Sequence, residues 1–459
     1  PVPELPSYIH AADNFHKLAA ELTIPLHLMP GNHDIGDKPV TWMPAGMVNS
    51  EHISLYRKHF GSDYFSFNHE NCHFVIINSP LINSGDPAEK EQADWLEADL
   101  ASSAGKRIFL FSHYPVYVSD PSEPESYDNI DEPGRGWLLG LIDRYKPEAL
   151  FSAHVHNFWY DSIGETEYYI VPSTCFVRHD YSEMYRIDGG SQQGRNDGAK
   201  LGHVTLEIYE HGHVAHYHRS YAECSKEGGP SAPPVVLRPH VKTTNIKNIF
   251  VDMRHAWTEE LNVAPSGAVD EFRRKKARND YPVMALWEMG LRGLRVPLQD
   301  LMDTATRRRM EIMFGVGHKF HIYRYGVPTK IEIETIKKHF SIIEELELVL
   351  GWETIDEQVS EIQFLKDETR LPIVLSRVNR NDASKTSGGK YNHLISHGFT
   401  IAEIPEIASF IQKNPLLLNG VQFTIPRSVN PWNAGKELQV FKNDTDCKPT
   451  LYVKSTEAS

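Results

Sequence analysis

Five side chains suited to holding a cation stand where apolar runs give out: Asn32 and His33 in "PGNHD" (30–34), His113 in "FSHYP" (111–115), and His154 and His156 in "FSAHVHN" (151–157). Runs of this kind read as strands buried on both faces. In an α/β sheet the carboxyl ends of such strands converge on one crevice, where ligands bind. Residues 81 (113 − 32) and 41 (154 − 113) positions apart can therefore meet in space. His154 and His156 are two apart, so on a continuing strand they face the same way. Imidazole nitrogens suit Zn, Fe and related ions, whereas oxygen ligands favour Mn or Mg. Two such cations about 3.5–4 Å apart supply what phosphoester hydrolysis requires, a hydroxide at neutral pH and positive charge against the phosphoryl oxygens. A histidine beside them that is not a ligand is placed to protonate the leaving oxygen.

The surrounding pattern supplies elements to position these groups. In the first half, "DNFHKLAAEL" (13–22) has helical spacing and "IPLHLMP" (24–30) is strand-like. Residues 64–79 read as two strands around an Asn/Glu turn, 89–103 as an amphipathic helix, 107–115 as a strand, 135–147 as a helix and 149–157 as a strand. "YYIVPST" and "HVTLEIYEHGHVAHYHRSY" add further strands. The Gly- and Pro-dense "CSKEGGPSAPPVVLRPH" (224–240) breaks the rhythm and reads as an interdomain linker. This predicts a first domain over 1–222, a linker over 223–245 and a second domain over 246–459. In the second, strands such as "NIFVDMRH", "VMALWEMG", "GLRVPLQDL", "HKFHIYRYG", "ELELVLG", "LPIVLSRV" and "GVQFTIP" recur at roughly thirty-residue intervals with helices between them. Repeated strand–helix units predict a parallel sheet, a (β/α) barrel by first choice and an open doubly wound sheet by second.

Composition sets bounds. A chain of 459 residues is too long for one ordinary core. With 40% hydrophobic and 24% charged residues it is globular, and no apolar run reaches the roughly eighteen residues of a membrane span. A formal charge of −14 argues against a sequence-independent hold on nucleic acid. It leaves room for a small phosphorylated substrate or a phosphoprotein, because bound metal reverses the local potential. The 4 cysteines are scattered with no CxxC pair, which predicts a reducing, cytoplasmic setting.

Taken together, GNHD, then SHYP, then SAHVH resembles the calcineurin-like metallophosphoesterase family, whose motifs run D-x-H, GD, GNH[DE], H, GHxH. The resemblance covers about residues 1–221, and the wording "PGNHDIGD", "FGSDYFSF" and "EQADWLEADL" is most similar to members related to purple acid phosphatases and class III cyclic-nucleotide phosphodiesterases. It implies a four-layer α/β/β/α sandwich and a dinuclear centre of two divalent ions (Mn, Fe, Zn or Mg) that hydrolyses phosphomonoesters or diesters. By the same resemblance Asn32, His113 and His154 match ligands of the second metal and His156 a ligand of the first. His33 matches the histidine that contacts the phosphate, and Asp34 would hold the loop. Ala153 replaces the usual glycine, and the D-x-H and GD motifs have no counterpart. The expectation is thus a domain lacking its first strands, with the first site reduced to His156. The alternative is a catalytically dead scaffold that serves the second domain.

Other candidates have plainer readings. His211, His213, His216 and His218 flank a glycine turn and are expected on solvent-exposed strand faces. Glu288, Arg295, Arg324, Arg377 and His397 stand at strand ends of the second domain, beside the polar loop 377–399. No recognisable catalytic motif emerges there, which predicts an accessory role.

Overall fold

The computed structural model describes residues 2–40, 46–178, 181, 200–219, 248–253, 257–258, 260–263, 275–377, 397–426 and 428–453. The expected linker and most of loop 377–399 lie outside them. The chain folds as two compact units, Pro1–Pro239 with Thr258–Met284, and His240–Trp257 with Ala285–Ser459. The second unit's sequence is thus interrupted by a stretch that folds with the first.

The first unit opens with helices α1 (Ser7–Ala19), α2 (Asn32–Ile35) and α3 (Ser50–Phe60). Strands β1 (Phe65–His69) and β2 (Cys72–Ile76) follow, then α4 (Pro87–Ser102), β3 (Arg107–Phe111), α5 (Gly134–Tyr145), β4 (Ala149–Ser152), β5 (Trp159–Ile163) and β6 (Thr166–Ile170). They make a six-stranded sheet in the order β1-β2-β3-β4-β6-β5. The four central strands are parallel, and both edge strands are antiparallel. Helix α4 starts where Asp86 Oδ1 accepts from Ala88 N at 3.0 Å and proline fills the first helical position. Leu96 and Leu100 of α4 and Leu138, Leu141 and Ile142 of α5 pack on Val75, Ile108, Leu110 and Leu150 of the sheet. Truncating any of these buried leucines to alanine costs about 2–5 kcal/mol. A hairpin, β7 (Gly202–Tyr209) and β8 (Gly212–Arg219), follows.

The interrupting stretch forms the antiparallel pair β10 (Glu260–Val263) and β11 (Lys275–Arg278), and its Val263 and Ala277 enter the same core. Arg278 donates to the Tyr160 carbonyl at 2.9 Å, and Asp280 accepts from Tyr160 N at 2.9 Å.

Strands β9 (Phe250–Asp252), β12 (Gly293–Pro297), β13 (Lys319–Tyr325), β14 (Ile343–Leu350), β15 (Ile373–Arg377), β16 (Gly420–Ile425) and β17 (Lys448–Val453) build the second unit's sheet. All seven are parallel, in the order β17-β16-β15-β14-β13-β12-β9. The connecting helices include α8 (Thr304–Gly315), α9 (Lys330–Lys338), α10 (Val359–Thr369), α11 (Ile404–Lys413) and α12 (Pro431–Thr445); α6 (Tyr281–Glu288) and α7 (Leu298–Met302) precede them. Tyr452 of one edge strand donates to Asp252 of the other at 3.0 Å, so the sheet curls. Among the described residues no ladder joins β9 to β17, and the sheet is a half-barrel.

Three expectations need correction. "VMALWEMG" is not a strand: Val283–Glu288 lie in α6, because a short continuous apolar run does not distinguish a buried helix from a buried strand. "IPLHLMP" forms no ladder among the described residues and leaves Ile24 69% exposed. A strand pattern becomes a strand only beside a partner. His213 is not on an exposed face either; its side chain is 1% exposed and held between Glu148 and Glu167. No helix among the described residues is long and apolar enough to cross a membrane, and Cys72, Cys175 and Cys447 are free thiols.

Candidate metal centre

Parallel pairing of β3 and β4 sets Phe111 beside Phe151, so the turns that follow them lie side by side. Ala153 N donates to the His113 carbonyl at 2.9 Å, and the Ser112 and Ser152 hydroxyls meet at 2.9 Å. Ser79 Oγ accepts from the backbone N–H of His113 and Tyr114, which fixes where the first turn leaves the sheet. His154 and His156 both adopt left-handed backbone, φ 63° and 54°. Such conformations cost of order 1–3 kcal/mol each and gather at functional sites.

On these supports three donor atoms converge. His113 Nε2 lies 2.8 Å from Asn32 Oδ1 and 3.2 Å from His154 Nδ1. Atoms about 2.1 Å from one shared cation lie roughly 3.0–3.4 Å apart in octahedral or tetrahedral placement, close to these separations. The partners behind the donors fix their orientation. Asn32 Nδ2 donates to Asp37 Oδ1 and to Tyr127 Oη, each at 2.9 Å, which turns Oδ1 toward His113. His154 Nε2 faces the Tyr127 carbonyl at 3.2 Å; a carbonyl only accepts, so Nε2 carries the proton and Nδ1 keeps its lone pair. Burial, then the charges of His156 and His33, push His113 down to about 3. Burial, then His113, holds His154 well below its ordinary value. Both rings are the neutral form that binds metal.

The remaining predicted residues have distinct places. His156 packs edge-on against Phe176, 4.3 Å between centroids. His33 is exposed on α2, and its charge is felt at His113. Asp34 Oδ2 accepts from Gly31 N at 2.8 Å and closes the loop, with its carboxyl raised by burial. Gly31 is there for space: a Cβ would stand 2.7 Å from His113 Cε1 and 2.8 Å from Nδ1. Among the described residues no three His, Cys, Asp or Glu gather as a metal site; the cluster is two imidazoles and an amide.

Several supporting residues escape sequence reasoning. Asp37 Oδ1 also accepts from Tyr114 at 2.8 Å and Tyr127 at 3.2 Å. Buried Lys38 donates to Ser126 O, Asn129 O and Asp131, stitching the GNHD loop to the loop that carries Tyr127. Asp128, fully buried 4.0 Å from His154 Nε2, is paired with Arg178 and Lys275 and accepts from Tyr181. Burial alone would raise its carboxyl, but those two cations and His154 hold it well below the usual range. The one available signal was Asp37 itself, an acid three residues beyond Asp34.

With this geometry in place, residues 7–158 match the family model of the calcineurin-like phosphoesterases. Among individual proteins, the chain is similar to serine/threonine-protein phosphatase CPPED1 of Mus musculus, 29% identical over 145 residues, 30% of this chain and 44% of that protein. The Bos taurus CPPED1 is 30% identical over 140 residues, 29% of this chain and 42% of that protein. A probable cyclic nucleotide phosphodiesterase of Pseudoalteromonas sp. (strain SM9913) is 23% identical over 175 residues, 38% of this chain and 59% of that protein. The chain therefore spans less than half the length of the CPPED1 relatives it matches. Among solved structures it is similar to purple acid phosphatase PPD1 of Lupinus luteus at 18% identity and a TM-score of 0.27, covering 36% of this chain and 34% of that one.

Proposed function

We propose that the first unit is a metal-dependent phosphoester hydrolase domain, of the four-layer sandwich type, whose cation site is built on Asn32, His113 and His154 with His156 beside it. The observation that carries this reading is the meeting of Asn32 Oδ1, His113 Nε2 and His154 Nδ1 within 2.8 and 3.2 Å, although the residues lie far apart in sequence. Two divalent cations, when bound, would supply a lowered water pKa and positive charge against the phosphoryl oxygens. Asn32 contributes a hard amide oxygen held by Asp37 and Tyr127, and the two imidazoles contribute softer donors. His33, exposed beside Asn32, would contact the phosphate and give its proton to the leaving oxygen. Tyr127 and the loop that Lys38 secures form the wall against which the substrate's organic group would rest. Relatives named as a serine/threonine phosphatase and a probable cyclic nucleotide phosphodiesterase support a phosphorylated substrate.

The test is turnover of p-nitrophenyl phosphate and bis(p-nitrophenyl) phosphate with Mn, Fe, Zn or Mg added, alongside calorimetric titration of the same ions. Metal-dependent turnover that falls in His33→Ala and His154→Ala, with binding lost only in the second, supports the assignment. Cation binding without turnover would make the unit a binding scaffold, and neither would end the reading.

A further inference from the structure

The second unit's sheet has two unlike faces. Leu294, Val296, Phe320, Ile322, Leu346, Leu348, Ile373, Leu375, Val421 and Phe423 are buried and alternate along the strands, forming the apolar face of the sheet. The register lines up the alternate residues on the other face: Asp252, Arg295, His321 and Glu345 in one row, and Tyr323, Glu347, Val374, Gly420 and Lys448 in the next. Two residues further along each strand, the same face holds Tyr325, Val349, Ser376, Gln422 and Thr450, then Thr424 and Tyr452. A filled barrel interior is made of branched apolar side chains. This concave face is polar.

Its charges are already matched. Arg295 makes a bidentate pair with Glu347 at 2.8 and 2.9 Å and reaches Asp252 at 2.8 Å. His321 sits between Glu345 and Glu347, 2.8 Å from each, and Lys448 reaches Glu345 at 3.1 Å. With His321 doubly protonated between two carboxylates, three cations face three anions among these described side chains, so their charges balance one another. The unmatched groups are neutral. Ser376 Oγ, Gln422 Oε1, Thr424 Oγ1 and Thr450 Oγ1 are buried with no partner among the described residues. Ser376, Gln422 and Thr424 are 0%, 2% and 5% exposed. Each such group is costly unless something else satisfies it, and four lie on three neighbouring strands. At the carboxyl end of the sheet, where parallel sheets bind ligands, Tyr325 is 40% exposed beside Tyr323. His397 touches both Tyr325 and Arg295 there.

We propose that this concave face is a second binding site, for a neutral polyhydroxylated ring such as a monosaccharide or cyclitol. Ligand hydroxyls pair with Ser376, Gln422, Thr424 and Thr450, and the ring's C–H face rests on the tyrosines at the mouth. The site is separate from the cation centre and does not depend on it.

Saturation-transfer NMR on the whole chain tests this, using D-glucose, D-galactose and myo-inositol at millimolar concentration, with glucose 6-phosphate and inorganic phosphate as charged probes. The expected result is transfer to at least one neutral probe, weakened about tenfold or more in Ser376→Ala and in Thr424→Val. In the absence of sugar both variants melt at or above the wild-type temperature, because each loses an unsatisfied buried group. His154→Ala binds the sugar as wild type does, which separates this site from the metal reading. Binding of phosphate in preference to every neutral probe, no transfer to any neutral probe, or unchanged binding in both variants would overturn the proposal. If the variants do not fold, the wild-type result with the neutral probes decides.

Discussion

Gly31→Ala isolates one contact of the proposed centre. The backbone at this position, φ −109° and ψ 177°, accepts alanine without strain, so the effect is purely one of space. The new Cβ would stand 2.7 Å from His113 Cε1, whereas ordinary contact begins near 3.4 Å. The ring must retreat by about 0.7 Å (3.4 − 2.7), which takes the 2.8 Å contact between His113 Nε2 and Asn32 Oδ1 to roughly 3.5 Å, outside hydrogen-bonding range. Overpacking of this size costs about 1–3 kcal/mol of stability. Displaced ligand support typically costs about 10–100-fold in metal affinity. Calorimetric titration with Zn or Mn reads the affinity, and a urea melt reads the stability. In a His113→Ala background the added methyl has nothing to strike, so Gly31→Ala should cost little further in either measurement, as a double-mutant cycle shows. A folded Gly31→Ala protein that binds the ion as tightly as wild type would refute the reasoning.

Other perturbations separate the supporting parts. Asp37→Ala removes the shared acceptor of Asn32, Tyr114 and Tyr127 and leaves three donors wanting, so a loss of about 3 kcal/mol and a 10–100-fold fall in cation affinity are expected by melt and titration; unchanged affinity would show that the amide needs no such orientation. Lys275→Met leaves Asp128 buried with one cation fewer and should cost about 3–5 kcal/mol, whereas Lys90→Ala, which breaks an exposed pair with Asp94, should cost under about 0.5 kcal/mol in the same urea melts. Equal losses would contradict the assigned burial. His213 is pushed up against the desolvation of its site by Glu167 and Glu148. Its contribution to stability is therefore fully present below the unfolded value of about 6.5 and is lost as pH rises through the raised folded value. Wild type should lose stability relative to His213→Gln between pH 6 and 9, and parallel pH profiles would sink the pairing.

The histidine-bearing turns were legible because the signal is local: a buried strand, then a ligand-type side chain. Asn32, His113 and His154 follow from that rule and from the convergence of parallel strand ends. What fixes them was not legible. Asp37 meets Tyr127 across 90 positions and Lys275 meets Asp128 across 147, and no spacing rule reports contacts made only by tertiary folding. Gly31 reads as a turn residue, yet its reason is the ring of His113, invisible until the two loops are brought together. The half-barrel strands were mostly legible from their apolar runs. There are two exceptions: 283–290 failed because eight apolar-rich residues suit a buried helix as well as a strand, and β17 (Lys448–Val453) was not read as a strand at all. The polar alternation of Gln422, Thr424, Thr450 and Tyr452 becomes meaningful only with the register that places them on one face.

The central claim is a cation held between Asn32, His113 and His154, and crystals grown with Zn or Mn test it through anomalous scattering. The account predicts a peak about 2.0–2.3 Å from Asn32 Oδ1, His113 Nε2 and His154 Nδ1 together. A peak elsewhere, or ordered side chains around empty density at that point, would contradict it.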